Sequence, residues 1–296
     1  MTAGDVQLGL RLSRQAGWNQ IESDWRRFMN MEPDGCFVAE LDGRPAGTTT
    51  TCIFEATAWI AMVLVDESYR RKGIGTALLK HALDYLDGRQ VKTIRLDATS
   101  AGRPVYEKLG FVPEYELARF EGAPQPGKTP GGSLKAAGFG DGGGKAIPKR
   151  DKASPENCRL GLPPYTDIIE FDRKITGTNR AKLLGALFAE LPQNVRILKH
   201  RDMIDGFITM RPGANAVQVG PCTATANAGP ALLSDALVRC AGKAVFVDMP
   251  TGNVNAVKVA VSSGLKIQRR FTRMCRGERI EDKPENIWAG SGPEKG

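Results

Sequence analysis

Trp59-Ile60-Ala61-Met62-Val63-Leu64-Val65, followed after a short gap by Arg70-Arg71-Lys72-Gly73-Ile74-Gly75-Thr76, decides how this chain folds. The first run is too apolar and too rich in β-branched residues for anything but a buried strand. After the second, Ile74, Ala77, Leu78, Ala82, Leu83 and Leu86 recur at helical spacing, with Lys80, His81, Asp84 and Asp87 on the other side. A cationic, glycine-containing turn therefore sits at a helix N-terminus. Such a turn offers unpaired backbone N–H groups and the positive end of the helix dipole, both suited to phosphate. Gly73 and Gly75 let a ligand approach the backbone closely. The turn is not a Walker loop, because no Gly-Lys-Ser/Thr closes it, and the third glycine of a dinucleotide fingerprint is missing.

Working outward, Thr93-Ile94-Arg95-Leu96-Asp97-Ala98 alternates as a strand, and Pro104 and Gly110 bracket a short helix carrying Tyr106 before Phe111. Position by position, Arg70 to Gly75 resembles the Gln/Arg-x-x-Gly-x-Gly/Ala motif of the GNAT superfamily of acetyl-CoA-dependent N-acetyltransferases. Tyr106-Glu107-Lys108-Leu109-Gly110-Phe111 resembles that family's Tyr-x-x-x-Gly-Phe segment, and Ala16 to Gln20 with Asp24-Trp25 resembles the substrate-side helices of one bacterial branch. The shared order covers roughly residues 4–120.

That resemblance implies a mixed α/β fold in which two parallel strands splay apart around the pantetheine arm. It places Val63, Leu64 and Val65 against the pantetheine and acetyl end, and Arg71, Lys72, Gly73, Ile74, Gly75 and Thr76 around the pyrophosphate. Tyr106 becomes the proton donor to the departing thiolate. A primary amine, on a small molecule or on a protein or peptide, is the implied acceptor, with acetyl-CoA as co-substrate. Trp18, Asn19, Gln20 and Trp25 are candidates for the acceptor pocket. Glu22, Asp24, Glu55 and Asp97 are candidates for a base, each read more readily as a surface, capping or structural charge. Thr99 stands where many relatives carry an asparagine. A non-catalytic acyl-CoA sensor is the alternative, disfavoured because a sensor does not need the Tyr106 hydroxyl.

A chain of 296 residues suggests two domains. Residues 121–157 are rich in glycine, proline and lysine without apolar periodicity, the composition of a linker. Beyond it, the pattern of strand, loop, helix, strand, short helix, glycine and strand repeats the back half of the first unit. A helix is expected over 178–191, strands near 195–200, 205–211 and 216–220, a helix from Gly229-Pro230, and a strand at 244–248. Asn253 then caps a short helix ending at Gly264, and 265–275 returns as a strand. The reading is thus tandem GNAT-like domains: 1–120 complete, 158–296 degenerate. Gly220-Pro221-Cys222-Thr223-Ala224 replaces the cationic turn there, and Ala260 falls opposite Tyr106.

Composition limits the remaining classes. A hydrophobic fraction of 41% supports packed cores. No apolar run reaches the roughly 20 residues a bilayer span needs, and Met1-Thr2-Ala3-Gly4-Asp5 lacks a secretory start. Six cysteines without a Cys-x-x-Cys pair, and only two histidines, predict no metal site and reduced thiols in a cytoplasmic protein. The net charge of +8 comes partly from the linker and partly from Lys266, Arg269, Arg270, Arg273, Arg276 and Arg279. These are read as a solvated basic surface, not a nucleic-acid stripe. Two similar units in one chain form an internal pseudo-dimer, so a monomer suffices, with a homodimer as the other option.

Overall fold

The computed structural model describes residues 1–125, 165–201 and 203–293. The first half contains α1 (Val6–Gln15), α2 (Glu22–Met31), β1 (Cys36–Leu41), β2 (Arg44–Phe54), β3 (Thr57–Val65), α3 (Ile74–Gly88), β4 (Thr93–Ala98), α4 (Arg103–Lys108) and β5 (Val112–Gly122). The second repeats the order with α5 (Thr166–Thr176), α6 (Ala181–Glu190), β6 (Arg196–His200), β7 (Met203–Arg211), β8 (Val217–Ala224), α7 (Gly229–Arg239), β9 (Val245–Pro250), α8 (Val254–Ser262) and β10 (Lys266–Gly277). A short β11 (Ile287–Ala289) is appended.

The eleven strands among the described residues form one sheet. Its order is β1-β2-β3-β4-β10-β5-β9-β8-β7-β6, with β11 beside β8. Only β3–β4 and β8–β9 run parallel; every other neighbouring pair is antiparallel. At the centre the two halves trade their last strands: β10 pairs with β4, and β5 pairs with β9. The mixed α/β, tandem architecture expected from the sequence is therefore present, joined more intimately than two beads on a linker. β5 continues to Gly122, where Glu121 pairs with Lys266. The stretch read as linker lies outside the described residues from 126 onward.

Helices cover both faces. α3 buries Leu79, Ala82, Leu83 and Leu86 against Ala58, Ile60, Ile94, Leu96 and Met274. Each large side chain contributes about 1.5–3 kcal/mol. Leu79 takes the inward place that the spacing assigned to Ala77, which is exposed. On the opposite face α1, α2, α5 and α6 share a core with Trp59, Ala61, Met62 and Leu64. The expected second-half elements form within a few residues of their predicted bounds, and Asn253 Oδ1 accepts from Ala256 N at 3.0 Å as a helix cap.

The basic residues of β10 do not form a solvated surface as a group. Because β10 lies in the middle of the sheet, Arg273 is 4% exposed and grips Asp97 through Nε and Nη2 at 2.8 and 2.9 Å. Arg276 pairs with Asp87. Burial opposes the Arg273 charge, but Asp97, Tyr115 and Asp282 outweigh it and hold its pKa above the usual range. The five described cysteines are buried free thiols.

Candidate active site

The site begins with a defect in a strand. Pairing between β2 and β3 shifts register between Thr48 and Thr50, and Met62 sits at φ +50°, a left-handed conformation uncommon for a side chain of its size. Thr48 Oγ1 donates to Met62 O at 3.0 Å and Thr49 Oγ1 to Ala61 O at 3.3 Å, so two hydroxyls fasten the bulge. Gly47 allows the crossing: a Cβ there would lie 2.7 Å from Leu64 O. Bulges of this kind re-aim a strand. Here β3 pairs with β4 only over Thr57–Trp59 and Thr93–Arg95. Beyond Trp59 the two strands part, leaving the inner edge of Ile60 to Val65 along a cleft.

At the cleft's end stands the cationic turn. Arg71 adopts φ +63° and Gly73 φ +80°, and α3 starts at the cleft with Ile74, Gly75 and Thr76 of its first turn on the wall. Arg70 anchors the turn, its Nε donating to Val65 O at 3.3 Å. One cavity of about 610 Å³ connects Arg71, Gly73, Ile74, Gly75 and Thr76 with Val63, Leu64, Val65 and Tyr106. Among the predicted cofactor residues Lys72 is the one off its wall; its Nζ lies 5.4 Å from the Tyr69 ring centre.

Tyr106 is placed by a compact turn. Thr99 caps it, Oγ1 accepting from Gly102 N at 3.2 Å, and Gly110 at φ +85° reverses the chain after α4. Gly102 lacks the Cβ that would press on the tyrosine ring at 3.0 Å, and Phe111 meets that ring edge-on at 6.0 Å. Burial pushes the phenol up to about 12. It is therefore fully protonated at neutral pH.

The acceptor-side candidates separate into two kinds. Trp18 and Gln20 line the cavity. Asn19 instead ties the halves together, its Oδ1 accepting from Asn215 N and Ala216 N at 2.9 and 3.0 Å, while Trp25 is core packed on Gly9. The base candidates are all engaged elsewhere: Asp24 with Arg27 and Arg211, Glu22 with Arg26, Glu55 with Asn179, and Asp97 with Arg273. Sequence reasoning missed Arg119, Arg269, Phe271 and Pro293, which close the far end of the cavity. The exchange of β5 and β10 brings the first three there and the tail after β11 brings Pro293, and no local pattern announces either.

The second half repeats the splay but not the opening. β8 and β9 pair over Val217–Val219 and Val245–Val247 and then part. Into the gap goes β11, with Ile287 opposite Thr223 and Ala289 opposite Cys222, and Gly290 N donates to Asp248 O at 2.6 Å. The fully buried Trp288 ring lies against Gly229, where α7 begins, and its Nε1 donates to Ala224 O at 3.2 Å. The chain thus fills its own second cleft.

Among the described residues no group of three or more His, Cys, Asp and Glu side chains is placed to hold a metal, and no helix is long and apolar enough to cross a membrane. The GNAT acetyltransferase family model matches residues 10–111, and a GNAT acetyltransferase domain model matches residues 168–289. Holothin acyltransferase from Pseudoalteromonas sp. (strain SANK 73390) is 24% identical over 276 residues, covering 92% of this chain and 85% of that protein. The ribosomal protein bS18-alanine N-acetyltransferase of Escherichia coli (strain K12) is 36% identical over 78 residues, 25% of this chain and 53% of that one. A putative acetyltransferase from Pyrococcus horikoshii superposes with a TM-score of 0.75 at 24% identity, covering 100% of this chain and 94% of that one.

Fold, cleft and family matches define an acyltransferase. The chain belongs to the GNAT acetyltransferase family, with one such domain in each half.

Proposed function

We propose that the first unit, residues 1–120, moves the acetyl group of acetyl-CoA to a primary amine by direct attack on the thioester, and that the second unit, 158–296, shapes the acceptor end without binding a cofactor. The observation that carries this reading is the single cavity running from the α3 turn, past the open edge of β3 and the Tyr106 hydroxyl, to Gln20 and the strands of the second half. The residues present suit such a ligand: an anion-binding helix start with Arg71 and two glycines, then an extended edge that offers main-chain groups to an amide-containing arm.

Bound acetyl-CoA supplies the activated acyl carbon. The amine nitrogen forms the new C–N bond and the C–S bond breaks, its electron pair leaving with sulfur. Negative charge on the carbonyl oxygen is met by a backbone N–H of the bulged strand, a contribution of about 10²–10³ in rate. Tyr106 donates its proton to the sulfur and recovers one from the solvent that takes the nitrogen's proton. Among the described residues Asp97 is the one carboxylate on the cavity wall, and Arg273 occupies both its oxygens. The acceptor therefore loses its ammonium proton to water, helped by the positive charge of Arg269 on the cavity wall, which disfavours a bound cation. The N-acetylation of a ribosomal protein's alanine by the Escherichia coli relative supports a peptide or protein amine, whereas the end wall supplied by the second half favours a compact one.

Calorimetry with acetyl-CoA, followed by CoA thiol release with a panel of amines, tests the proposal. One site per chain and amine-dependent release are expected. No heat on titration overturns it.

A further inference from the structure

Arg119 and Arg269 stand directly opposite each other in the antiparallel β5–β10 ladder, so their side chains share a face. Met274 packs under α3, and alternation along β10 therefore sends Arg273, Phe271 and Arg269 to the other face, that of α1 and α2. This is the side away from the cationic turn. Like charges in such a pair repel, and the two guanidiniums are handled differently. Arg119 is buried and closed off by Asp248, whose oxygens accept from Nε and Nη2 at 2.8 and 2.9 Å. Arg269 is half-buried on the cavity wall, and its Nε donates only to Gln268 Oε1 at 3.0 Å. Among the described residues no carboxylate lies within ion-pair distance of it. Burial and the neighbouring Arg119 pull its pKa below the ordinary arginine value, against the longer-range attraction of Asp248 and Glu121. A cation with no carboxylate paired to it directly is thus left beside the cavity.

The second observation is Gln20. It is 6% exposed and lines the same cavity, and its Oε1 has no hydrogen-bond donor among the described residues. Buried polar groups are nearly always partnered, and an unpartnered one costs far more than a made bond contributes. Its neighbour Asn19 is locked in place by Asn215 and Ala216, so Gln20 is held on the wall by a fixed loop.

Resting on the acyl-transfer reading above, the geometry points to an acceptor that carries a carboxylate in the same small molecule as its amine. The carboxylate pairs with Arg269, whose planar fork suits it. An N–H of the amine donates to Gln20 Oε1, and Trp18 and Phe271 flank the carbon skeleton between them. The phosphates of the co-substrate are received on the opposite face, so the two anionic groups do not compete.

Matched acceptor pairs test this, each an amino acid set against its own carboxamide, with CoA thiol release as the readout. The carboxylate member is expected to be preferred by about 10-fold or more in kcat/KM, the scale of one charge-assisted hydrogen bond. Arg269→Gln should collapse the ratio toward one through the KM of the carboxylate, and Arg269→Lys should keep part of it. Acetyl-CoA affinity, measured on the same variants, should not move. Equal use of both members by the unaltered protein overturns the assignment, as does a preference surviving in Arg269→Gln, or turnover of neither member. Weakened acetyl-CoA binding in Arg269→Gln would instead place the guanidinium on the phosphates. If acetyl-CoA fails to bind at all, the acyl-transfer reading falls and takes this one with it; if it binds and the pairs are equal, only the carboxylate is lost.

Discussion

Tyr106 owes its chemistry to burial. A phenol pushed up to about 12 keeps its proton throughout the physiological range, so it has one to give when the sulfur departs. Tyr106→Phe should lower kcat by about 10²–10⁴, the usual worth of a positioned acid, while the acetyl-CoA dissociation constant from calorimetry stays the same. The pH profile carries a second expectation. An acid with its pKa raised from 10 stays active until the pH approaches 12, so tyrosine sets no falling limb below about pH 11. The rising limb belongs to the acceptor, because among the described residues no unpaired carboxylate lines the cavity. The kcat/KM should climb about tenfold per pH unit until the amine's own pKa is reached, near 8 for an α-amino group and near 10 for a lysine. A plateau beginning near pH 5 would mean that a carboxylate does take the proton. At this scale the turn and the apolar strand are legible from spacing and residue type, whereas Tyr106 was singled out by the family resemblance alone. Arg269 was not legible, since an arginine in an alternating basic strand looks solvated until its neighbours are known.

Elements show why the bulge and the tail matter as much as the motif. The bulge in β3 depends on Gly47, where a Cβ would meet Leu64 O at 2.7 Å, tighter than real contacts. Gly47→Ala should therefore cost about 1–3 kcal/mol in urea unfolding, the range for forced overpacking, and it should weaken acetyl-CoA binding further than that loss explains by displacing the open strand edge. In the second half, β11 does what a ligand does in the first. Trp288→Ala removes the largest side chain of that plug and should cost about 3–5 kcal/mol. Calorimetric stoichiometry should remain one acetyl-CoA per chain, because α7 still lacks the cationic turn. The helices around both clefts followed the 3.6-residue period, and the strands lining them showed as continuous apolar runs buried on both faces. β11 escaped because three residues with no counterpart in the first half leave no repeat to recognise, and α5 because it follows directly on the compositionally biased segment.

At the level of the whole molecule, the exchange of β5 and β10 makes the two halves one cooperative body. Arg273–Asp97 and Arg119–Asp248 each join one half to the other in the buried centre of the sheet. Removing one member strands its partner's charge, so Arg273→Leu should destabilise by about 3–5 kcal/mol. Pairing between strands more than a hundred residues apart is invisible to local patterning, which is why two sequential domains were legible and their interlocking was not. The exchange also predicts how the chain behaves when cut. A fragment ending at residue 125 has β4 without its β10 neighbour, and one starting at 158 has β9 without β5; each exposes long unpaired edges that favour aggregation. Neither fragment alone should show a cooperative thermal transition. Coexpressed, they should associate through the central strands and recover acetyl-CoA binding, since the cleft between β3 and β4 is braced from the β10 side. A first fragment that unfolds cooperatively and binds acetyl-CoA by itself would show that the exchanged strand only covers the sheet and does not hold the cleft open.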